Sequence, residues 1–600
     1  MFSAPTEPPP PCEPPSPSPI AGPRLCDRAV ASALPLAYDG RVRRRSFIAG
    51  TAALACGRPG GAPRFAFSET RETVAALVEA WREKMPVVGL SLALVDRGEL
   101  AWATGFGMAD REAHRPAGAD TVYAIGSLTK LYTALTALRA DATAALDLDT
   151  PLQRHLPQLR TPGVDAIRLR HLLCHRSGLI SDWHRGSLGE RPPDWRLVAD
   201  EIADEPLIAA PDSWYAYSNV GYTLMGHVLD NMSPKPFTEH TLDVARDTAG
   251  ASALRFDPPP LMAASYCAGR REVEPRLRLQ PAAGMYGSVL DLVPLLRWLL
   301  AGDGLAAAML TAQPAGPLDC DERWGLGLAL KHVGLAHAGR VGWHTGRTFA
   351  HRAVLFVLPD RGLGIAVLAN FREAGGVEDL AVDALQTALL ERDGLDLPPS
   401  LGDGETRPRA AFDPAALQRH VGRYANDFDV VRLEIEHGGL VSRAELGKTA
   451  LIPAPGGGFH SADNRDSHVA ITDRAGYHIL TSTVRGIETR IGVRCPEGPV
   501  PEDWLRRVGR YRVDAAPGEV VAFKAAHLEH VGGGLELRLE LPQAFATSST
   551  LARFALAPSG PHEATIFGIG RGKGQRVAAE DGPDGPALSW AGYRLLRSDA

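Results

Sequence analysis

The C-terminal third of the sequence contains one unit twice. LQRHVGRY (417–424) returns as LRRVGRY (505–511), and RLEIEHGGLVSRAEL (432–446) returns as HLEHVGGGLELRLEL (527–541). Inside each copy apolar and polar residues alternate, as in VVRLEIE and LELRLEL, which is the period of a strand with one buried face. The spacing predicts two copies of one all-β unit, each of about ninety residues. Chance likeness between two glycine-turn hairpins is the competing explanation. Just upstream, DLPPSLGDGETRPR (396–409) has the proline, glycine and charge content of a linker. A chain of 600 residues exceeds what one hydrophobic core organises, so a domain boundary is expected there.

Composition narrows the classes. Hydrophobic content of 45% and charged content of 22% are ordinary for a globular chain. The net charge is only -6 and no basic-aromatic run occurs, which argues against a nucleic-acid partner. No run of eighteen apolar residues is present, so no transmembrane segment is expected. The seven cysteines are scattered without a Cys-x-x-Cys pair, excluding a disulfide scaffold or a cysteine-rich zinc module. Residues 1–40 are proline-rich (PTEPPPPCEPPSPSP) and read as disordered. RVRRRSFIAGTAALACG (41–57) then combines Arg44-Arg45, an apolar stretch from Phe47 to Ala55 and an Ala53-x-Ala55 pattern. That is the layout of a twin-arginine export signal, and it predicts a periplasmic protein. A cytoplasmic one follows if the segment is not used. Cys56 is a weakly signalled lipid-anchor position.

From Glu69 the pattern is that of a folded domain. ETVAALVEAWREKM has helical spacing, and VVGLSLALVDRGELAWATGFG reads as two strands around Asp96-Arg97-Gly98. HRAVLFVLPDRGLGIAVLAN (351–370) is a second hairpin, turning at Pro359-Asp360-Arg361-Gly362. Strands at both ends with helices between predict a sheet whose partners are far apart in sequence.

YAIGSLTKLYTALTALRA (123–140) contains one of only seven lysines among 64 basic residues. Ser127 and Lys130, three apart on a helix, share a face. Serine needs a base before it attacks, and a buried lysine can supply one. Arginine never deprotonates and cannot. Ser-x-x-Lys alone recurs by chance. Two further segments support it. Tyr217-Ser218-Asn219 precedes an apolar helical pattern and offers a phenol to relay a proton and an amide to bind a carbonyl or the lysine. His344-Thr345-Gly346 precedes the second hairpin, where a small residue lets backbone N–H groups approach a substrate.

Together, Ser127-x-x-Lys130, Tyr217-x-Asn219 and His344-x-Gly346 resemble the three motifs of the penicillin-recognising serine hydrolases, over about residues 75–390. LDLDTPLQRHLP, IRLRHLLCHRSGL and PAAGMYGSVLDLVPLLRWLL resemble segments between those motifs. The resemblance implies an α/β (α+β) β-lactamase/transpeptidase-like domain with an all-helical subdomain and the active site between. It implies Ser127 as nucleophile, Lys130 as base and Tyr217 sharing the proton transfer. Asn219 would orient the substrate, and the N–H groups of Ser127 and Arg347 would form an oxyanion hole. Neither a metal nor another cofactor is implied.

One departure and one addition bear on specificity. Relatives acting on β-lactams or D-alanyl-D-alanine ends have lysine where this chain has His344, whose ordinary pKa of about 6.5 leaves it mostly neutral. His344 is therefore expected to contact substrate or Tyr217 instead of a carboxylate. A hydrolase domain followed by two β units also resembles the D-stereospecific aminopeptidases, in which two antiparallel β-barrels follow it and a barrel loop reaches the site. This implies the layout 1–68 leader, 69–400 hydrolase, 410–498 first barrel and 501–600 second barrel, a homodimer, and hydrolysis of an N-terminal D-residue such as D-alanine from a small peptide, amide or ester. An esterase, a β-lactamase, a D-alanyl-D-alanine carboxypeptidase and an inactive peptide-binding protein are the alternatives. His171 and His175, four apart with Cys174 between them, have metal-ligand spacing, but no third ligand or glutamate base accompanies them. Gly456-Gly457-Gly458 and Gly532-Gly533-Gly534 lie among strands without a following helix and read as turns, not phosphate cradles.

Overall fold

The computed structural model describes residues 65–598 except 85–86, 303, 374–375, 398–413, 446, 465, 518, 522, 542–550 and 584. The proline-rich leader, the paired-arginine segment, Cys56 and most of the linker lie outside the described residues.

The hydrolase domain opens with α1 (Ser68–Lys84), β1 (Gly89–Asp96), β2 (Glu99–Asp110) and the two-residue β3 (Arg115–Pro116). A helical region follows, including α2 (Thr129–Ala142), α3 (Asn219–Met232) and α4 (Val289–Ala301). The chain then returns through β4 (Gly342–Arg347), β5 (Arg352–Leu358), β6 (Leu363–Ala369) and α5 (Val377–Asp393). The six strands form one antiparallel sheet in the order β4-β5-β6-β1-β2-β3. Its centre joins distant segments, with Leu90 opposite Ala369 and Asp96 opposite Leu363.

The apolar runs GLSLALVD, RAVLFVL and LGIAVLA follow from burial on both faces. Leu90, Leu92, Leu94, Val354, Phe356, Ile365 and Val367 point to one face, where they pack with Val74 and Val78 of α1 and Leu380, Leu385 and Leu389 of α5. The intervening Ala93, Val95, Leu355, Val357, Ala366 and Leu368 point to the other, against Leu292, Leu295, Leu296 and Leu299 of α4. Each such side chain stabilises the fold by about 1.5–3 kcal/mol, so the sheet is a rigid platform. Among the described residues no helix is long and apolar enough to cross a membrane.

The repeated units are two closed, eight-stranded antiparallel barrels, one from Gly422–Ala425 to Ile487–Arg494 and one from Gly509–Val513 to Tyr593–Arg597. The repeated V-G-R-Y residues close each barrel in the same way. Tyr424 is fully buried and donates its hydroxyl to the His420 carbonyl at 2.9 Å; Tyr511 does the same to Arg507 at 2.6 Å. In the last strand, Arg494 donates to the carbonyls of Arg419 and Val421, and Arg597 to those of Arg506 and Val508. The first strand also pairs with the last, Tyr424 opposite Arg494 and Tyr511 opposite Arg597. Gly532 and Gly533 form a hairpin turn, and Gly456 to Gly458 form the connection into the strand Phe459–Ser461.

Both barrels dock on the hydrolase domain. Asp321 donates its backbone N–H to the Glu488 carbonyl of the first and accepts the Glu488 N–H on its carboxylate, and His184 and Gly186 donate their N–H groups to the Ala591 carbonyl and the Glu519 carboxylate of the second. The barrels meet each other at Glu536, wholly buried, 2.5 Å from Arg432 and 3.3 Å from Arg423 of the first barrel. Removing one partner of a buried ion pair strands the remaining charges. Glu536→Ala is therefore expected to lower stability by about 3–5 kcal/mol, read as an earlier guanidinium unfolding midpoint.

Candidate active site

The turn before α2 is set by close approach of the sheet edge. Gly126, at φ +53°, lies so near β4 that a Cβ would sit 2.7 Å from the Arg347 nitrogen. Across the contact, a Cβ on Gly346 would sit 2.1 Å from the Ile125 carbonyl oxygen. Any side chain at either position would force the two backbones apart. β4 is the sheet edge, and its bonds alternate. Trp343 turns its N–H and C=O outward, each 2.9 Å from Ala329, so Thr345 and Arg347 turn theirs to the same open side. The Arg347 N–H thus faces the turn that carries Ser127, while its side chain runs out to solvent.

Ser127 lies in a one-turn 3-10 segment (Gly126–Leu128) that runs into α2. Lys130, one turn on, is fully buried. Its Nζ lies 3.1 Å from Ser127 Oγ, 2.6 Å from Asn219 Oδ1 and 2.9 Å from the Ala282 carbonyl oxygen. No carboxylate lies within ion-pair distance of it among the described residues. Its pKa falls well below that of an ordinary lysine, chiefly through burial and secondarily through the charge of Arg571, while Asp182 opposes the shift. Asn219 and Ala282 hold two N–H directions, which leaves the lone pair of the neutral amine for the Ser127 hydroxyl proton.

The second motif is positioned by the cap of α3. Ser218 Oγ accepts from Gly221 N at 2.9 Å and donates to the Ile180 carbonyl at 2.7 Å, so Tyr217 and Asn219 leave the chain on either side of a fixed point. The Tyr217 phenol lies close enough to Ser127 for the serine hydroxyl to bear on its ionisation, and its ring lies under Lys130 Nζ at 4.9 Å. Burial first, against Ser127 and Arg571, pushes the Tyr217 phenol up to about 12, so it holds its proton at neutral pH.

His344 on β4 donates its Nδ1–H to the Thr345 carbonyl at 2.6 Å, and its Nε2 has no partner among the described residues. Burial and then the charge of Lys130 depress its pKa to about 3. Its ring centroid is 6.0 Å from that of Tyr217, and no hydrogen bond joins them. Beyond it stand Trp324, 5.6 Å from His344, and Tyr215, stacked on Trp324 at 5.2 Å.

The structure adds residues that the motifs do not contain. Asp182 accepts from Asn219 Nδ2 at 2.6 Å and from Arg571 of the second barrel at 2.9 and 3.1 Å. The Arg571 guanidinium stands 5.1 Å over the Tyr217 ring. Arg571 and Asn219 hold the Asp182 carboxyl near 2 against the opposing effect of its burial. The three residues with metal-ligand spacing are occupied structurally. His171 Nδ1 accepts from Arg168 N and its Nε2 faces Asp212, His175 Nδ1 accepts from Ser218 N, and the Cys174 thiol is buried. Among the described residues no group of His, Cys, Asp and Glu is arranged to hold a metal ion.

Comparison with known proteins covers this same domain. The family model described as Beta-lactamase matches residues 74–388. Esterase EstB of Burkholderia gladioli is 29% identical over 353 residues, 48% of this chain and 87% of its own length. A β-lactamase of Pseudomonas fluorescens is 25% identical over 239 residues, 38% of this chain and 63% of its own. The solved structure of SurE with D-Leu is 25% identical, covers 71% of this chain and all of that one, and superposes with a TM-score of 0.49. Because the family match begins within α1, ends within α5 and takes in every motif around Ser127, this chain belongs to the β-lactamase family of serine hydrolases.

Proposed function

We propose that this protein hydrolyses amides or esters through an acyl-enzyme on Ser127, with a small peptide, amide or ester bearing a free N-terminal D-residue such as D-alanine as its substrate. The observation that carries the acyl-enzyme is Lys130, buried with no carboxylate partner among the described residues and 3.1 Å from Ser127 Oγ. The neutral amine takes the hydroxyl proton as Oγ attacks the carbonyl carbon. Tyr217, protonated and beside Ser127, passes a proton to the leaving nitrogen or oxygen. The N–H groups of Ser127 and Arg347 receive the developing oxyanion, each worth about 3–4 kcal/mol. Water then attacks the ester by the same route in reverse.

The free-amine preference has its own support. β-Lactam and C-terminal carboxylate substrates need a fixed cation, and His344 is held neutral by its burial. Arg571 commits two nitrogens to Asp182. On the cleft wall, Glu322 is solvent-accessible and accepts from Trp324 Nε1 at 2.7 Å, beside the stacked Tyr215 ring. Aromatic faces next to a carboxylate suit an ammonium. A simple esterase is the second reading, favoured by the match to EstB along most of that protein.

Ser127→Ala is expected to reduce turnover by about 10⁴-fold or more, and the uncharged Lys130→Met by about 10³-fold; wild-type rates after Lys130→Met would exclude the amine as base. D-Alanine p-nitroanilide, its N-acetyl form, p-nitrophenyl butyrate and a β-lactam, assayed side by side, separate the readings. Faster hydrolysis of the acetylated compound removes the free-amine preference, and hydrolysis of the butyrate alone leaves the esterase.

Both site histidines also predict a stability profile. His175 and His344 are held neutral by burial, so their folded pKa values lie below the unfolded value of about 6.5. The stability they contribute is complete above about pH 6.5. It is lost as pH falls toward the folded values, at about 1.4 kcal/mol per pH unit for each ring. Denaturant titrations between pH 8 and 4 check this, and ring signals of His344 that titrate near pH 6.5 would contradict it.

A further inference from the structure

Between the strands Glu563–Ile566 and Arg576–Gly582, the second barrel sends the segment 567–575 onto the hydrolase domain. Gly572 N donates to Ser181 Oγ at 2.8 Å, and Gln575 Nε2 donates to the Asp182 carbonyl at 3.2 Å. From behind, Asp427 of the first barrel packs against Gly570, where a Cβ would sit 2.6 Å from its Oδ1. The segment thereby delivers Arg571 to Asp182, whose other oxygen fixes the amide of Asn219, whose own oxygen holds Lys130. Arg571 also covers the Tyr217 ring, which lies beside Ser127. Hydrogen bonds therefore link Ser127, Lys130, Asn219, Asp182 and Arg571 across two domains, and Tyr217 stands between the two ends of that chain.

We propose that Arg571 is a positioning residue for the hydrolytic site, fixing Asn219 through Asp182 and setting a permanent positive charge beside Lys130 and Tyr217, so that the base is armed only with the second barrel seated. The proposal rests on the roles given above to Ser127 and Lys130. Arg571 is not free to anchor a substrate carboxylate bidentately, since its Nε and Nη2 both go to Asp182 Oδ2. Its charge is the one that bears on the base. The groups around Lys130 are Ser127, Asn219 and the Ala282 carbonyl, the phenols of Tyr217 and Tyr222, and the rings of His175 and His344, both neutral. That leaves Arg571 and Asp182 as the nearby charges, acting on the amine with opposite sign.

Opposite signs make the test. The rate at which a fluorophosphonate labels Ser127 is followed against pH in the full-length chain and in Arg571→Gln, Arg571→Lys and Asp182→Asn. Wild type should show an acid limb where Lys130 loses its proton. Arg571→Gln should slow labelling and move that limb up by about one pH unit. Arg571→Lys should leave the limb nearly in place, and Asp182→Asn should move it down. Simple loss of structure would not shift two variants in opposite directions. If Arg571→Gln does not fold, the contrast between Arg571→Lys and Asp182→Asn still decides. A limb that stays put in all variants, or moves the same way in Arg571→Gln and Asp182→Asn, overturns the role of Arg571 while leaving Ser127 and Lys130 untouched. Absence of label on Ser127 in wild type overturns the earlier reading and this one with it.

Discussion

A lysine amine held out of water beside a serine hydroxyl, with no carboxylate among the described residues to neutralise it, is the condition the domain is built around. Desolvating an ammonium is costly unless the group sheds its proton, and shedding the proton is what makes it a base. The surroundings follow from that requirement. Lys130 sits in a helix buried on nearly every side, its N–H directions are taken by an amide and a carbonyl, and the rings around it are uncharged phenols and neutral imidazoles. Tyr217 meets the complementary requirement, with its phenol held protonated so that one proton is always available on the far side of Ser127.

The rigidity that keeps these groups in place comes from the sheet. β4 contributes the Arg347 N–H only because the sheet edge presses against the Ser127 turn, and the contact exists only because two facing positions lack side chains. A donor displaced by even an ångström loses most of its value to a transition state. The packing of α1 and α5 on one face and α4 on the other therefore governs the chemistry at the edge.

Much of this was readable from the sequence, for physical reasons that particular residues make clear. Ser127 and Lys130 are neighbours by helical geometry alone, and the doubled V-G-R-Y segments are at equivalent barrel-closing positions, so local spacing carried both. The two hairpin patterns at either end of the helical region announced a sheet whose partners are far apart in sequence. Asp182 and Arg571 were not legible. They are 389 residues apart, and their meeting depends on how a barrel docks, which no local period encodes. The one local sign was the run GIGRGKG (568–574), with glycine at every second position and positive φ at each. A strand cannot take that backbone, so the run marks a segment leaving the barrel. His344 was legible as an uncharged replacement for lysine but not as a group bonded to its own neighbour's carbonyl.

The antiparallel pairing of Leu90 with Ala369 has a further consequence for how the molecule comes into being. A nascent chain that has emerged as far as Ser127 and Lys130 still lacks the two strands that complete the sheet centre and the edge that supplies Arg347. Contacts of such long sequence separation form late. Ser127 and Lys130 are therefore made early and their surroundings assembled last, once the strands from Gly342 to Ala369 have emerged.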